Sequence, residues 1–217
     1  MGWMRMHGSG VFISLEGIDG CGKSSIISYL NSCLPAAEVV NIREPGGTII
    51  SESIRNMLLN DERSQDMAAE TEALLYAAAR SQVVKQVIKP ALSQGKLVLA
   101  DRFIDSTIAY QGFGRSLSIP FLKDMNDFCT GGLRPDLTIL LDLEPEQSYG
   151  YKKAGVPDRI EREGLAFQRK VREGYLQLAA DEPNRIVTVD AARDFSAVSQ
   201  SVWGHVHRLM YEYRRKI

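Results

Sequence analysis

Gly17-Ile18-Asp19-Gly20-Cys21-Gly22-Lys23-Ser24 fills the pattern G-x-x-x-x-G-K-[ST] directly after the apolar run Val11-Phe12-Ile13-Ser14-Leu15. Glycines at these spacings let the backbone turn tightly enough to aim several N–H groups inward, and a helix starting near Lys23 adds its positive dipole end. A polyphosphate such as that of ATP is the natural guest, held by Gly17 to Ser24 and the adjoining Ser25. Lys23 would reach the β and γ phosphates, and the Ser24 hydroxyl would ligate the Mg²⁺ that accompanies them. A second set of charges lies further on: Arg43, Arg55, Arg80, Arg102 and Arg159. Guanidinium forks suit a second phosphate-bearing ligand. Taken singly, each arginine fits a salt-bridged surface group equally well. Arg43 and Arg102 stand apart because each directly follows an apolar run, where ligands bind in open α/β sheets. Asp101 ends one of those runs and is a candidate for the magnesium environment, with Asp142 in the same local pattern as its rival.

These residues need a scaffold, and the apolar patterning supplies one. Short runs at Val11–Leu15, Val39–Ile42, Lys96–Asp101, Leu137–Leu141 and Ile186–Val189 read as buried strands. Between them, helical spacing predicts helices over Lys23–Leu34, Thr48–Asn60, Met67–Gln94 with a break or bend at Pro90, Ile119–Cys129, Arg159–Ala180 and Phe195–Tyr213. Gly164 and Gly174 weaken the helical pattern of the fifth. Strands alternating with helices argue for an α/β fold in which a central parallel sheet is covered by helices on both faces. The polar stretch from Glu146 to Asp158 reads as a mobile loop, and a lid is expected over about 146–160. The division expected is a flexible lead-in over 1–10 and one domain over 11–217.

The bulk composition narrows the function class. In 217 residues, 44% are apolar and 24% charged, enough for one sizeable core. A formal net charge of −1 gives no general attraction to nucleic acid or to anionic lipid, so cationic groups must be concentrated in a cleft. No run reaches the length of a membrane span. Cys21, Cys33 and Cys129 are neither even in number nor spaced as metal ligands, which predicts a reduced, cytoplasmic protein. An N-K-x-D motif for reading guanine and an L-S-G-G-Q-like transporter signature are both missing from the sequence.

Six stretches taken in order resemble bacterial thymidylate kinase: Glu16 to Ser24, Arg43-Glu44-Pro45-Gly46-Gly47-Thr48, Leu75-Tyr76-Ala77-Ala78-Ala79-Arg80, Asp101-Arg102-Phe103 with Ser106, Ala109-Tyr110-Gln111-Gly112, and Asp158-Arg159-Ile160-Glu161. The phosphate loop alone is widely shared, whereas R-E-P-G-G-T and D-R-F in that order are specific, and the resemblance runs from about Val11 to Ala192. It implies a P-loop NTPase fold and phosphoryl transfer from ATP to dTMP with Mg²⁺, giving dTDP and ADP. It also implies Tyr76 stacking on thymine, Arg80 and Gln111 at the base, Arg43, Arg55 and Arg102 around the dTMP phosphate, and Ser106 and Thr107 in the same substrate set. Asp19 would face the sugar 3′-hydroxyl or the magnesium shell. Lys23, Arg102, Arg159 and Asp19 form the expected catalytic group, and the family implies a homodimer.

Two departures matter. Position 21 is Cys where some relatives place an arginine in the loop, so the lid is expected to supply the catalytic cation from Lys152, Lys153 or Arg159. Residues 148–155 contain no arginine, and lysine is a point charge without the fork. The alternatives in function are a kinase acting on another nucleotide or a deoxynucleoside, and a non-catalytic ATP-binding switch.

Overall fold

The structure is a computed structural model that describes residues 10–59, 64, 66–151 and 158–215. Residues 1–9 of the lead-in expected over 1–10, and two of the expected lid cations, Lys152 and Lys153, lie outside the described residues.

The apolar runs become β1 (Val11–Glu16), β2 (Val39–Arg43), β3 (Leu97–Asp101), β4 (Leu137–Asp142) and β5 (Ile186–Asp190). They pair in parallel in the order β2-β3-β1-β4-β5. Successive side chains of a strand point to opposite faces. Val11, Ile13 and Leu15 of β1 with Leu97 and Leu99 of β3 accordingly join one apolar cluster, while Phe12, Val98 and Ala100 join another. Both faces must therefore be covered, and this is why the strands read as continuous apolar runs.

The helices that cover them are α1 (Lys23–Cys33), α2 (Ile49–Leu59), α3 (Ala69–Val83), α4 (Lys89–Ser93), α5 (Ile104–Thr107), α6 (Ile119–Thr130), α7 (Pro145–Tyr151), α8 (Gly164–Asp181) and α9 (Phe195–Arg214). The long helix expected to Gln94 is continuous in path, with a π turn at Val84–Ile88 joining α3 to α4. Pro90 stands in the first turn of α4, where its missing N–H costs least, so the expected break is absorbed as a change of helical pitch. A second π segment, Ile108–Gly114, continues α5 and carries Tyr110 and Gln111.

Gly174 serves close packing. A Cβ there would come within 2.7 Å of the Phe113 ring, and one at Gly114 would come within 2.7 Å of the Phe167 ring. The two glycines let α8 and the π segment interlock at backbone distance. The helix expected from Arg159 in fact starts at Gly164, after a 3-10 turn at Glu161–Glu163.

The expected loop from Glu146 is corrected in its first half. Pro145 opens α7, Ser148 donates its N–H to the Glu144 carbonyl, and its hydroxyl donates to the Pro145 carbonyl. Proline suits the first position of a helix because its φ is already helical.

Register decides what meets at the carboxyl edge. Leu15 aligns with Asp101, and Asp101 with Arg43. The phosphate loop after β1, the Asp101-Arg102 corner after β3 and the Arg43-Glu44 turn after β2 thus emerge side by side. The neighbours of β1 are β3 and β4, so the chain reverses its winding there, where open α/β sheets bind ligands.

Candidate active site

Gly17, at φ 136°, adopts a backbone conformation open to glycine, and a Cβ on it would lie 2.5 Å from the Leu141 carbonyl oxygen. Gly22, at φ 95°, is the N-cap of α1, and the Ser24 and Ser25 side chains are exposed in the first turn. Lys23 is buried and its Nζ donates across the loop to the carbonyls of Gly17 (3.1 Å) and Ile18 (2.9 Å).

A cleft of about 840 Å³ opens over the loop, lined by Asp19 to Ile26 and by Arg43, Glu44, Arg55, Asp101 and Arg102. Beside it is a narrower pocket lined by Tyr76, Arg80, Ser106, Thr107, Tyr110 and Gln111, among others. Asp19, Glu44, Arg55 and Arg102 line both cavities. Two ligands, one in each, would meet at those four side chains.

Arg102 is the most constrained of the four. Its backbone is left-handed at φ 74°, uncommon for a residue with a side chain, and its guanidinium lies over the Tyr110 ring at 4.9 Å. Nη2 donates to Asp19 Oδ1 at 2.6 Å, and Nη1 donates to the Gly17 carbonyl at 2.8 Å. Asp19 Oδ2 accepts from the Tyr110 hydroxyl at 3.2 Å. Burial pushes the Asp19 carboxyl up, but the charges of Arg102 and Lys23 outweigh it and hold the group below the usual carboxylate range.

A thymidylate kinase family model matches residues 15–202. The chain belongs to the thymidylate kinase family. The thymidylate kinase of Desulforudis audaxviator is 47% identical over 207 residues, covering 94% of this chain and 93% of that protein. The thymidylate kinase of Lactobacillus helveticus is 47% identical over 199 residues, covering 89% and 93%. The crystal structure of thymidylate kinase from Ehrlichia chaffeensis, 32% identical, superposes with a TM-score of 0.72 and covers 91% of this chain and 99% of its own.

Set against what the family resemblance implies, the expected residues separate into groups. Arg43 lies half exposed near Glu52 (3.7 Å) and lines the loop cleft only, whereas Arg55 donates to the Pro45 carbonyl (2.9 Å) and lines both cavities. Ser24 and Asp101 line the loop cleft together. Tyr76 lines the narrow pocket, where burial, reinforced by the charge of Glu72, raises its phenol.

Arg80 is placed differently. It is 2% exposed, and its guanidinium donates to Glu44 (2.8 Å), Thr107 (2.8 Å), Asn126 (2.6 Å) and the Phe103 carbonyl (3.1 Å). It forms the fixed floor of the pocket and ties α3 to α5 and α6. Thr107 spends its hydroxyl as an acceptor for Arg80.

Arg159 departs most from expectation. Asp158 Oδ1 accepts the N–H groups of Ile160 and Glu161, capping the turn, and Arg159 donates its own N–H to the Leu59 carbonyl. Its side chain is thereby directed to the Leu58 carbonyl (2.9 Å) and to Glu72 (2.6 Å), away from the phosphate loop. It closes one wall beside the narrow pocket and does not line the loop cleft.

Several participants escaped sequence reasoning. Glu72, wholly buried, accepts from Gln111 (2.8 Å), Arg115 (3.0 Å) and Arg159, and these charges and hydrogen bonds overcome its burial to keep it ionised. Its signal was present, since Glu72, Tyr76 and Arg80 recur every fourth residue on one helix face. Arg193, from the turn after β5, lines the loop cleft and had no motif to mark it.

Glu16, the last residue of β1, is fully buried behind Arg102. Oε1 accepts the Phe103 N–H (2.7 Å), and Oε2 lies 2.6 Å from Ser106 Oγ and 2.9 Å from the Tyr175 hydroxyl. Ser106 and Tyr175 are themselves 2.7 Å apart. The two hydroxyl protons cover two sides of this oxygen triangle, and a proton on Glu16 supplies the third. Burial and the charge of Asp105 push the same way, raising Glu16 from 4.5 to about 7 against the opposing pull of Ser106 and Arg102. A carboxyl with a raised folded pKa contributes stability that is complete below its unfolded value and lost as pH rises through the folded one. The unfolding free energy of the wild-type protein, relative to Glu16→Gln, is therefore expected to fall between about pH 4.5 and about pH 7 and then level off. Urea titrations of both proteins across that window check this, and parallel profiles contradict it.

Proposed function

We propose that this chain phosphorylates dTMP to dTDP, with ATP as donor in the loop cleft, Mg²⁺ beside its phosphates, and dTMP in the narrow pocket. The observation that carries the reading is the shared rim, where Asp19, Arg55 and Arg102 face both cavities. The acceptor oxygen of a monophosphate is already anionic at neutral pH, so no general base is needed. What the protein must do is bring two anions together, hold them in line and offset their charge.

The residues suit those tasks. Lys23 and the loop N–H groups cradle the donor phosphates, while Arg43, Arg55 and Arg102 hold the acceptor phosphate against them. Tyr76 offers an aromatic wall to the base. Gln111 donates one Nε2 hydrogen to Glu72, which leaves its amide oxygen as acceptor for the N3–H of thymine. A hydroxyl and a carboxylate, Ser24 and Asp101, suit a hard cation, and Mg²⁺ is commonly bound by one or two such groups plus substrate phosphates. A metal held there would supply positive charge against the charge that develops during transfer. Among the described residues no group of three or more His, Cys, Asp or Glu is placed to hold a metal.

With Arg159 bound to Glu72, the lid cation for the transferring phosphate falls to Lys152 or Lys153, in a lid over about 146–160 of a single domain spanning 11–217. Arg193 adds a further positive charge at the cleft. Exposed Ile49, Met57, Leu74, Phe121 and Phe128 on the adjoining helices α2, α3 and α6 support a homodimer. No described helix is long and apolar enough to cross a membrane. The unpaired cysteines support a cytoplasmic setting.

An acceptor panel tests the substrate. With ATP and Mg²⁺ held saturating, dTMP is expected to give the highest kcat/KM among dTMP, dUMP, dCMP, dGMP and thymidine. Thymidine as the best acceptor would leave the three phosphate-directed arginines without a ligand and would overturn the proposal.

A further inference from the structure

Arg102 has a support that belongs to neither cavity. Tyr175 stands on α8, is 2% exposed and lines neither the loop cleft nor the narrow pocket. Its hydroxyl accepts from Arg102 Nη1 at 3.0 Å and lies within hydrogen-bond distance of Ser106 and Glu16. An arginine carries donors only, so the direction of the first bond is fixed, and the phenol proton is free for Ser106 or Glu16.

The surroundings leave this hydroxyl little freedom. Tyr175 packs edge-on against Tyr110 with ring centroids 6.3 Å apart, and Tyr110 is the ring that Arg102 covers. The neighbouring Gly174 lets α8 close on Phe113, which sets the depth at which the phenol reaches Arg102. Glu16, immediately before the phosphate loop, grips the same hydroxyl from the sheet side.

We propose that Tyr175, anchored by Glu16 and Ser106, is a positioning residue that sets where the Arg102 guanidinium stands between donor and acceptor. It touches neither ligand and acts through Arg102. This rests on the phosphoryl-transfer reading above. An arginine displaced by part of an ångström still binds both phosphates but stabilises the in-line arrangement less well, so the loss should fall on kcat and not on KM.

Tyr175→Phe keeps the ring and removes the hydroxyl. Its kcat is expected to fall about tenfold, the scale of one hydrogen bond to a charged group, while KM for ATP and for dTMP each stay within about threefold. In an Arg102→Lys background the same change should cost almost nothing further, because the fork it positions is gone. Glu16→Gln gives a second reading from the opposite anchor, with kcat again lowered at unchanged KM. The proposal is overturned if Tyr175→Phe keeps wild-type kcat, if it raises KM alone, or if its full cost persists on top of Arg102→Lys. Should Tyr175→Phe not fold, wild-type kcat in Glu16→Gln overturns it. Wild-type protein that makes no ADP in response to dTMP would instead count against the underlying reaction.

Discussion

Arg102→Ala is expected to lower kcat for dTMP-dependent ADP formation by about 10³-fold or more, the scale on which arginines at transferring phosphates act. The reason is positional as well as electrostatic. Arg102 lines both cavities, and its guanidinium also binds the Gly17 carbonyl and the Asp19 carboxylate, so its removal loosens the phosphate loop from the acceptor side. The loss should therefore extend to dTMP binding. Arg102→Lys restores a charge without the fork and is expected to recover only part of the rate. Steady-state kinetics with both nucleotides varied, together with dTMP titration calorimetry, check this. A variant with near wild-type kcat would remove Arg102 from the reaction.

Lys23→Ala should cost about 10²- to 10³-fold in kcat, comparable to losing one preorganised charge-stabilising donor. Its signature differs from that of Arg102. Lys23 lines the loop cleft but not the narrow pocket. The Kd for dTMP alone should stay within about twofold of wild type. Weakened dTMP binding in Lys23→Ala would show that the two cavities are not separate in the way described. The two variants thus divide the site into a donor half and a seam shared by both ligands.

How much of this was written in the chain depends on the range of the interaction. The strands were legible because a sheet covered on both faces demands continuous apolar runs, and the structure places all five where those runs stand. The phosphate loop was legible because its glycines and lysine act within eight adjacent positions. What lay beyond reach was pairing across distance. Arg80 looks like any pocket arginine in sequence, and only folding brings Glu44 and Asn126 to its two ends.

Arg159 was misplaced for the same reason. Its position next to the lid suggested a phosphate contact, whereas the cap formed by Asp158 and the buried Glu72 direct it elsewhere. Gly174 illustrates the converse error, since helix propensity counts it as a weakness while Phe113, far away in sequence, requires it. The π segment carrying Gln111 was also illegible, because nothing in a periodicity of 3.6 announces a local change of pitch.

The most direct test is the balance of products. Purified protein incubated with ATP, Mg²⁺ and dTMP should release ADP and dTDP in equal amounts, with ADP formation falling to background when dTMP is withheld. Equal ADP release with and without dTMP, and no dTDP, would contradict a site built to join two nucleotides at Arg102.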